Sequence, residues 1–252
     1  MATVIYPSPI FGPVKSRRLG ISLGINLLPG DGKMCTFDCI YCECGWNRDG
    51  AQDRTLPSFE DVKSALETRI AALADEGIPV DSITFSGNGE PTVHPDFPAI
   101  VDVVLELRNR YFPAAKVSVL SNATMLDRNE VFEALRKVDN PILKIDAPND
   151  ALVTMINKPQ GSYSLENVVA RMAEFKGDFV LQTMFLRSPD FDLGQTVEDW
   201  RNIVRRLKPR ETMVYTIDRE TPDKTLQKYT VEQMTEFVKP LQDEGYVIQI
   251  RG

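Results

Sequence analysis

Short apolar runs alternate along this chain with longer stretches in which apolar residues return every third or fourth position. The first short run spans 20–28. Its apolar residues alternate with small or polar ones, which predicts a strand. Over 58–76, Val62, Leu66, Ile70 and Leu73 share one face of a predicted helix. Ser58 with Asp61 suits its N-terminus, and Gly77 can stop it. The alternation then continues. Strands are predicted at 82–86, 116–120, 142–146, 179–185, 212–217 and 246–250. Helices are predicted at 98–110, 128–137, from about 149, and at 165–175, 197–207 and 231–241. Six strand–helix pairs counted from Gly20 imply parallel βα units and an α/β fold. Six fall short of a closed eight-unit barrel and suit an open, partial (β/α)6 barrel. Residues 1–19, with Pro7, Pro9 and Pro13, read as irregular. Their basic Lys15, Arg17 and Arg18 suit either a solvated surface or an anion contact.

The chain has 252 residues, 42% hydrophobic and 26% charged, enough to build one sizeable core. With no internal repeat or dividing linker, 1–252 reads as a single domain. The net charge of −7 argues against a large nucleic-acid footprint, though a local basic patch is compatible with it. The N-terminal residues lack a charged region followed by a long apolar run, and no stretch reaches the length of a membrane span. All four cysteines lie between positions 35 and 44, where they cannot staple distant segments. A reducing, cytoplasmic setting without a membrane partner is the expectation.

Those cysteines are the densest chemistry in the chain. Cys35, Cys39 and Cys42 are spaced C-x3-C-x2-C, and Cys44 follows two positions on. Thiolates this close can wrap one metal centre from a single loop, as in iron–sulfur proteins. Pro29, Gly30 and Gly32 before them and Gly45 after them favour a loop over a helix. Three ligands would leave one iron of a [4Fe–4S] cluster open. Four would close it, as in a ferredoxin-like electron carrier, and Cys44 is the residue that separates the two. A zinc knuckle or buried thiols are the other readings, but zinc sites usually pair two short motifs and no second pair exists here.

Other candidates cluster at predicted strand ends, where α/β folds place their chemistry. The second strand runs into Asn88-Gly89-Glu90, a glycine turn with a carboxylate able to accept from an ammonium group. The third ends in Ser121-Asn122, able to reach hydroxyl or carboxylate groups. Lys144 and Asp146 sit two apart on the fourth strand and face the same way, as an ion pair or as site residues. Gln182 and Met184 share a face of the fifth. His94, the single histidine, reads as a structural hydrogen-bonder.

C-x3-C-x-Tyr-C resembles the cluster motif of the radical S-adenosylmethionine (radical SAM) superfamily. The resemblance implies a partial barrel and a [4Fe–4S] cluster on Cys35, Cys39 and Cys42. It also implies S-adenosylmethionine on the open iron, cleaved to a 5′-deoxyadenosyl radical that takes hydrogen from a substrate. Tyr41 matches an aromatic position near the adenine. Asn88-Gly89-Glu90 is similar to the family's Gly-Gly-Glu segment, with Asn88 in place of the first glycine. Ser121-Asn122-Ala123 is similar to its Thr-Asn-Gly segment. Lys144 and Asp146 are further candidate cofactor contacts. An electron donor such as flavodoxin or ferredoxin is the implied partner. A glycyl-radical-enzyme activase is an alternative within the family. Ser16-Arg17-Arg18-Leu19-Gly20, Lys144-Ile145-Asp146-Ala147 and Tyr215-Thr216-Ile217-Asp218-Arg219 together resemble the subgroup around archaeal wyosine synthases, whose second set of cluster cysteines has no counterpart in this chain.

Overall fold

The computed structural model describes residues 4–16, 18–50 and 52–252. Arg17 therefore lies outside the described residues. The chain opens with β1 (Ile10–Ser16) and β2 (Gly20–Ile25), then α1 (Phe59–Asp75), β3 (Ser82–Phe85), α2 (Phe97–Tyr111) and β4 (Lys116–Ser121). Next come α3 (Asn129–Lys137), β5 (Asn140–Lys144), α4 (Asp150–Ile156), α5 (Leu165–Ala173), β6 (Val180–Met184) and β7 (Leu186–Arg187). The chain ends with α6 (Val197–Leu207), β8 (Glu211–Tyr215), β9 (Gln227–Lys228), α7 (Val231–Asp243) and β10 (Ile248–Arg251). One eight-stranded sheet runs in the order β1-β2-β3-β4-β5-β6-β8-β10, parallel except for β1 against β2. Neighbouring parallel strands are consecutive in this order, and helices connect them, as a partial (β/α)6 barrel requires. A separate two-stranded ribbon pairs β7 with β9. No helix among the described residues is long and apolar enough to cross a membrane.

The sheet's two faces differ in chemistry. On β3, Ile83 and Phe85 join the core under the helices, and the Phe85 ring packs edge-on against Phe97 of α2 with ring centres 5.5 Å apart. Ser82 and Thr84 face the other way. There a buried hydroxyl chain runs Ser22–Thr84–Ser82–Ser118, with separations of 2.8, 3.0 and 3.1 Å, and Asn140 donates to Ser118 at 3.1 Å. These hydroxyls and the Asn140 amide are tolerated on that face because each is hydrogen-bonded.

α1 forms as the pattern predicts. The Ser58 hydroxyl accepts from the Asp61 N–H at 3.2 Å, and the Asp61 carboxylate accepts from the Ser58 N–H at 3.1 Å. Val62, Leu66, Ile70 and Leu73 are its buried face.

The irregular reading of 1–19 is corrected, because Ile10–Ser16 is the antiparallel edge strand β1. Pro13 argues against a central strand, yet an edge strand with a bulge accommodates it. The register slips between Phe11 and Val14, at Gly12, whose φ is +90°. Several strand boundaries shift as well, two of them next to the cysteine loop and its neighbours. β2 stops at Ile25, because the Asn26 carboxamide accepts from the Leu28 and Asn88 N–H groups and bends the chain. β5 is Asn140–Lys144, so Asp146 lies just past its end.

Truncating Leu66, which is fully buried, to Ala should cost about 2–5 kcal/mol of stability, and Ser58→Ala about 1 kcal/mol. Urea denaturation measures both, and an unchanged midpoint for Leu66→Ala would contradict this packing.

Candidate functional site

The cysteine loop leaves β2 and crosses the open end of the sheet, pinned on both sides by backbone bonds. On one side Met34 N–H donates to the Asn88 carbonyl at 2.8 Å, and Met34 pairs with Gly89 as an isolated parallel bridge. On the other, Asp38 N–H donates to Asn157 O at 2.8 Å, Ile40 N–H to Ile156 O at 3.0 Å, and Gln160 N–H to Thr36 O at 2.8 Å. Side chains lock the interior of the loop. Lys33, almost fully buried, donates to Asp38 and to the Gly45 carbonyl, both at 3.0 Å. Asn47 accepts from Cys35 N–H at 3.1 Å and donates to the Cys35 and Phe37 carbonyls at 3.1 and 3.0 Å.

Gly89 is required by this arrangement. Its φ is +147°, and a Cβ there would lie 1.9 Å from the Met34 carbonyl oxygen. The space beside Gly89 is taken by the backbone just before Cys35.

Cys35, Cys39 and Cys42 border a cavity of about 170 Å3, shared with Gly89, Glu90, Ser121, Asn122, Lys144 and Gln182. Amide donors approach two of the sulfurs. Asn122 Nδ2 is 3.6 Å from Cys35 Sγ, and Asn157 Nδ2 is 3.4 Å from Cys39 Sγ. Cys44 also borders the cavity, with its Sγ 3.5 Å from the Gly87 carbonyl oxygen. Burial pushes the Cys35 thiol up, and pushes Cys39 up to about 11. The hydrogen bond from Cys44 brings Cys42 down to about 6, against burial and with help from the Lys33 charge. Burial alone would lower Lys33. The negative charge of Cys42, Cys35 and Cys39, with the Asp38 hydrogen bond, instead holds it above its ordinary value.

Glu90 is buried and held by three donors. Its Oε1 accepts from Thr92 N–H at 3.1 Å and Thr92 Oγ1 at 2.5 Å, and its Oε2 accepts from Asn122 N–H at 2.6 Å. Desolvation still raises its pKa. Asn122 also donates from Nδ2 to Thr36 Oγ1 at 2.9 Å, tying the end of β4 to the cysteine loop. Ala123 after it has φ +65°, the left-handed region that glycine enters most easily. The Gln182 Nε2 is buried in the same cavity with no acceptor among the described residues.

Three of the sequence-derived candidates stand outside the cavity lining. The Asn88 carboxamide is spent on the N-terminal segment. It accepts from Tyr6 N–H at 2.8 Å and donates to the Tyr6 and Pro29 carbonyls at 2.9 and 2.8 Å. Tyr41 donates its hydroxyl to Asp146 Oδ2, behind the wall that carries Cys39. Asp146 in turn accepts from Asn157 Nδ2 at 2.7 Å, Met184 N–H at 2.9 Å and Lys144 Nζ at 3.2 Å. The Lys144–Asp146 ion pair is therefore present. Lys144 also meets the Tyr215 hydroxyl and reaches the cavity. Lys33, Asn47 and Asn157 were not singled out from the sequence. A lysine two positions before the first cysteine was a signal for Lys33, while Asn157 is brought in only by the tertiary fold.

Gly89→Ala should displace Met34 and loosen the loop, at a cost of more than about 1 kcal/mol. Gly77 has φ +67° with open space around it, so Gly77→Ala is the control for left-handed strain alone. The check is the rate of thiol alkylation. It should rise in Gly89→Ala only, and equal rates in the two variants would refute the close approach.

The profile of the radical SAM superfamily matches residues 31–207, from the start of the cysteine loop through α6. UPF0026 protein MJ1312 of Methanocaldococcus jannaschii is 29% identical over 233 residues, covering 90% of this chain and 69% of that protein. A radical SAM methyltransferase from Sphaerobacter thermophilus shares 16% identity at a TM-score of 0.67, over 91% of this chain and 65% of that one. SuiB of Streptococcus suis, solved with S-adenosylmethionine bound, shares 15% identity at a TM-score of 0.65, over 88% of this chain and 49% of that one. At such identities the likeness is one of fold, and this chain spans about two thirds or less of those solved chains. The profile match over most of the length, anchored on the cysteine loop, places this chain in the radical SAM superfamily.

Proposed function

We propose that this chain is a radical SAM enzyme whose Cys35, Cys39 and Cys42 hold a [4Fe–4S] cluster and whose cavity binds S-adenosylmethionine. The carrying observation is the grouping of three thiols around one cavity that Glu90, Asn122 and the acceptor-less Gln182 amide also line. That donor set suits both groups. The thiols border a volume instead of meeting at a point, as a multi-iron cluster needs and a single zinc does not. Among the described residues no three Cys, His, Asp or Glu side chains converge on a single-ion site. The amide donors on Cys35 and Cys39, with buried Lys33 beneath, offset the negative charge that bound thiolates carry.

A cluster held by Cys35, Cys39 and Cys42 would, once reduced, supply the electron for reductive cleavage of S-adenosylmethionine, the source of a hydrogen-abstracting 5′-deoxyadenosyl radical. The residues of this chain bind and orient. Glu90 accepts from the cofactor's ammonium group, exchanging a hydrogen bond it now receives from Thr92 or Asn122. Gln182 donates to an oxygen of the bound molecule. Lys144 stays fixed by Asp146 and Tyr215 at the cavity edge. Reduction calls for an electron donor of the flavodoxin or ferredoxin kind. Cys44 borders the same cavity and lies 3.5 Å from the Gly87 carbonyl oxygen, and it is a bystander thiol in this reading because a fourth cysteine ligand would leave no iron open to S-adenosylmethionine. The rival reading, an electron-carrying module with four cysteine ligands, has no use for a donor-lined cavity beside the thiols.

Replacing Cys35, Cys39 or Cys42 by Ala should abolish the visible absorbance of the anaerobically reconstituted cluster and the formation of 5′-deoxyadenosine. Cys44→Ala should keep near-normal iron content and cleavage. Loss of the cluster in Cys44→Ala as complete as in Cys35→Ala would move the electron-carrier reading to first place.

Glu90→Gln keeps the shape and removes the charge. S-adenosylmethionine should bind about tenfold more weakly or worse, the equivalent of one charge-assisted hydrogen bond. Calorimetric titration reads this, and an unchanged affinity would remove Glu90 from the cofactor site.

A further inference from the structure

A second, larger cavity adjoins the cysteine cavity. It has a volume of about 530 Å3, the size range of a metabolite site. The turn between β1 and β2 forms one wall and the ends of β3 and β4 form another. Cys44, Gly87 and Leu120 line both cavities, so the two spaces are neighbours that meet at these three residues.

The turn sends Arg18 into this space. Ser16 Oγ accepts from the Arg18 and Leu19 N–H groups at 3.3 and 3.2 Å, which fixes the turn. Gly20 follows with φ +71°, where a Cβ would strike the Asp81 carboxylate at 2.4 Å. Asp81 in turn accepts from Ile21 N–H at 2.7 Å. The Arg18 guanidinium lies over the Tyr215 ring, 5.1 Å from its centre. Its Nη1 is shielded from solvent and has no acceptor among the described residues. The other charges lining the cavity are Lys15, Glu43, Asp218 and Arg219. Glu43 is committed to Arg219 at 2.7 Å, and Asp218 is engaged as well. Lys15 is exposed.

A buried guanidinium N–H without an acceptor is costly in an unliganded protein and suits a site that a ligand completes. The planar fork of arginine matches the paired oxygens of a carboxylate or phosphate. We infer that Arg18 anchors the oxyanion of a small substrate, a carboxylate or a phosphate, in the 530 Å3 cavity. The remainder of that substrate then extends past Leu120 and Gly87 toward the cysteine cavity. Which end reacts rests on the cofactor reading above. The anion site itself does not.

The test is calorimetric titration of inorganic phosphate, and separately of acetate, into the anaerobically reconstituted protein. Saturable one-to-one binding of at least one anion is expected, about tenfold weaker or worse in Arg18→Leu. Arg18→Lys, which keeps the charge, should restore part of it and guards against a misfolded leucine variant. Phosphate alone saturating points to a phosphorylated substrate, and acetate alone to a carboxylate. Absence of saturable binding, or equal binding by wild type and Arg18→Leu, overturns the inference. So does loss of anion binding once S-adenosylmethionine is bound, which would give Arg18 to the cofactor's own carboxylate. S-adenosylmethionine binding to the wild-type protein is measured alongside. Its absence would sink the cofactor reading while leaving the anion result standing.

Discussion

An irregular loop can sit at the end of a barrel only if its backbone polar groups find partners, because buried N–H and C=O groups left unpaired are expensive. The cysteine loop meets this constraint by borrowing edges. Met34 bonds to Asn88 after β3, and Thr36, Asp38 and Ile40 bond to residues 156–160, from the last residue of α4 onward. The positions of the thiols are therefore set by the turns of two distant βα units. Gly89 is the tightest point of the arrangement, since the Met34 carbonyl occupies the space a side chain would need. Lys33 completes it from below, tying Asp38 to Gly45 with a charge that also faces the thiols.

The buried polar groups behind Cys39 follow the same logic. Asp146 accepts from Tyr41, Asn157, Lys144 and the Met184 backbone, so both of its oxygens are fully used. Removing any one donor would leave a buried carboxylate short of a partner, which costs more than the bond is worth in isolation. Asn157 is the shared member, spanning Asp146, Tyr41 and the Cys39 sulfur. The end of β5 and the cysteine loop are thereby coupled through side chains as well as backbone.

The legible parts of the chain were those where local pattern and tertiary role agree. The α1 cap, its buried face and the alternation of parallel strands were all readable, because period and capping chemistry are local. The grouping of Cys35, Cys39 and Cys42 on one loop was readable for the same reason. β1 was not, because Gly12 and Pro13 signal a break and only an edge position with a bulge admits them. The side chains of Asn88, Tyr41 and Asp146 sit at or beside recognised motifs, but where each points depends on partners remote in sequence. Asn88 turns to Tyr6, and Tyr41 to Asp146. Sequence spacing carries no information about such pairs.

The element that was hardest to read also shapes the larger cavity. Without β1 the sheet would begin at β2, and the hydroxyl-lined face would open to solvent on that side. Pairing β1 on β2 places the Ser16–Gly20 turn across the opening, with Leu19 packed against the interior cluster of Ile142, Val180 and Met213. Leu19 anchors the turn while Arg18, its neighbour, lines the cavity beside it. A bulged edge strand thus does two things at once. It terminates the sheet, and it converts an exposed barrel interior into a bounded volume next to the thiols, with a cation at one wall and the cysteine loop at the other.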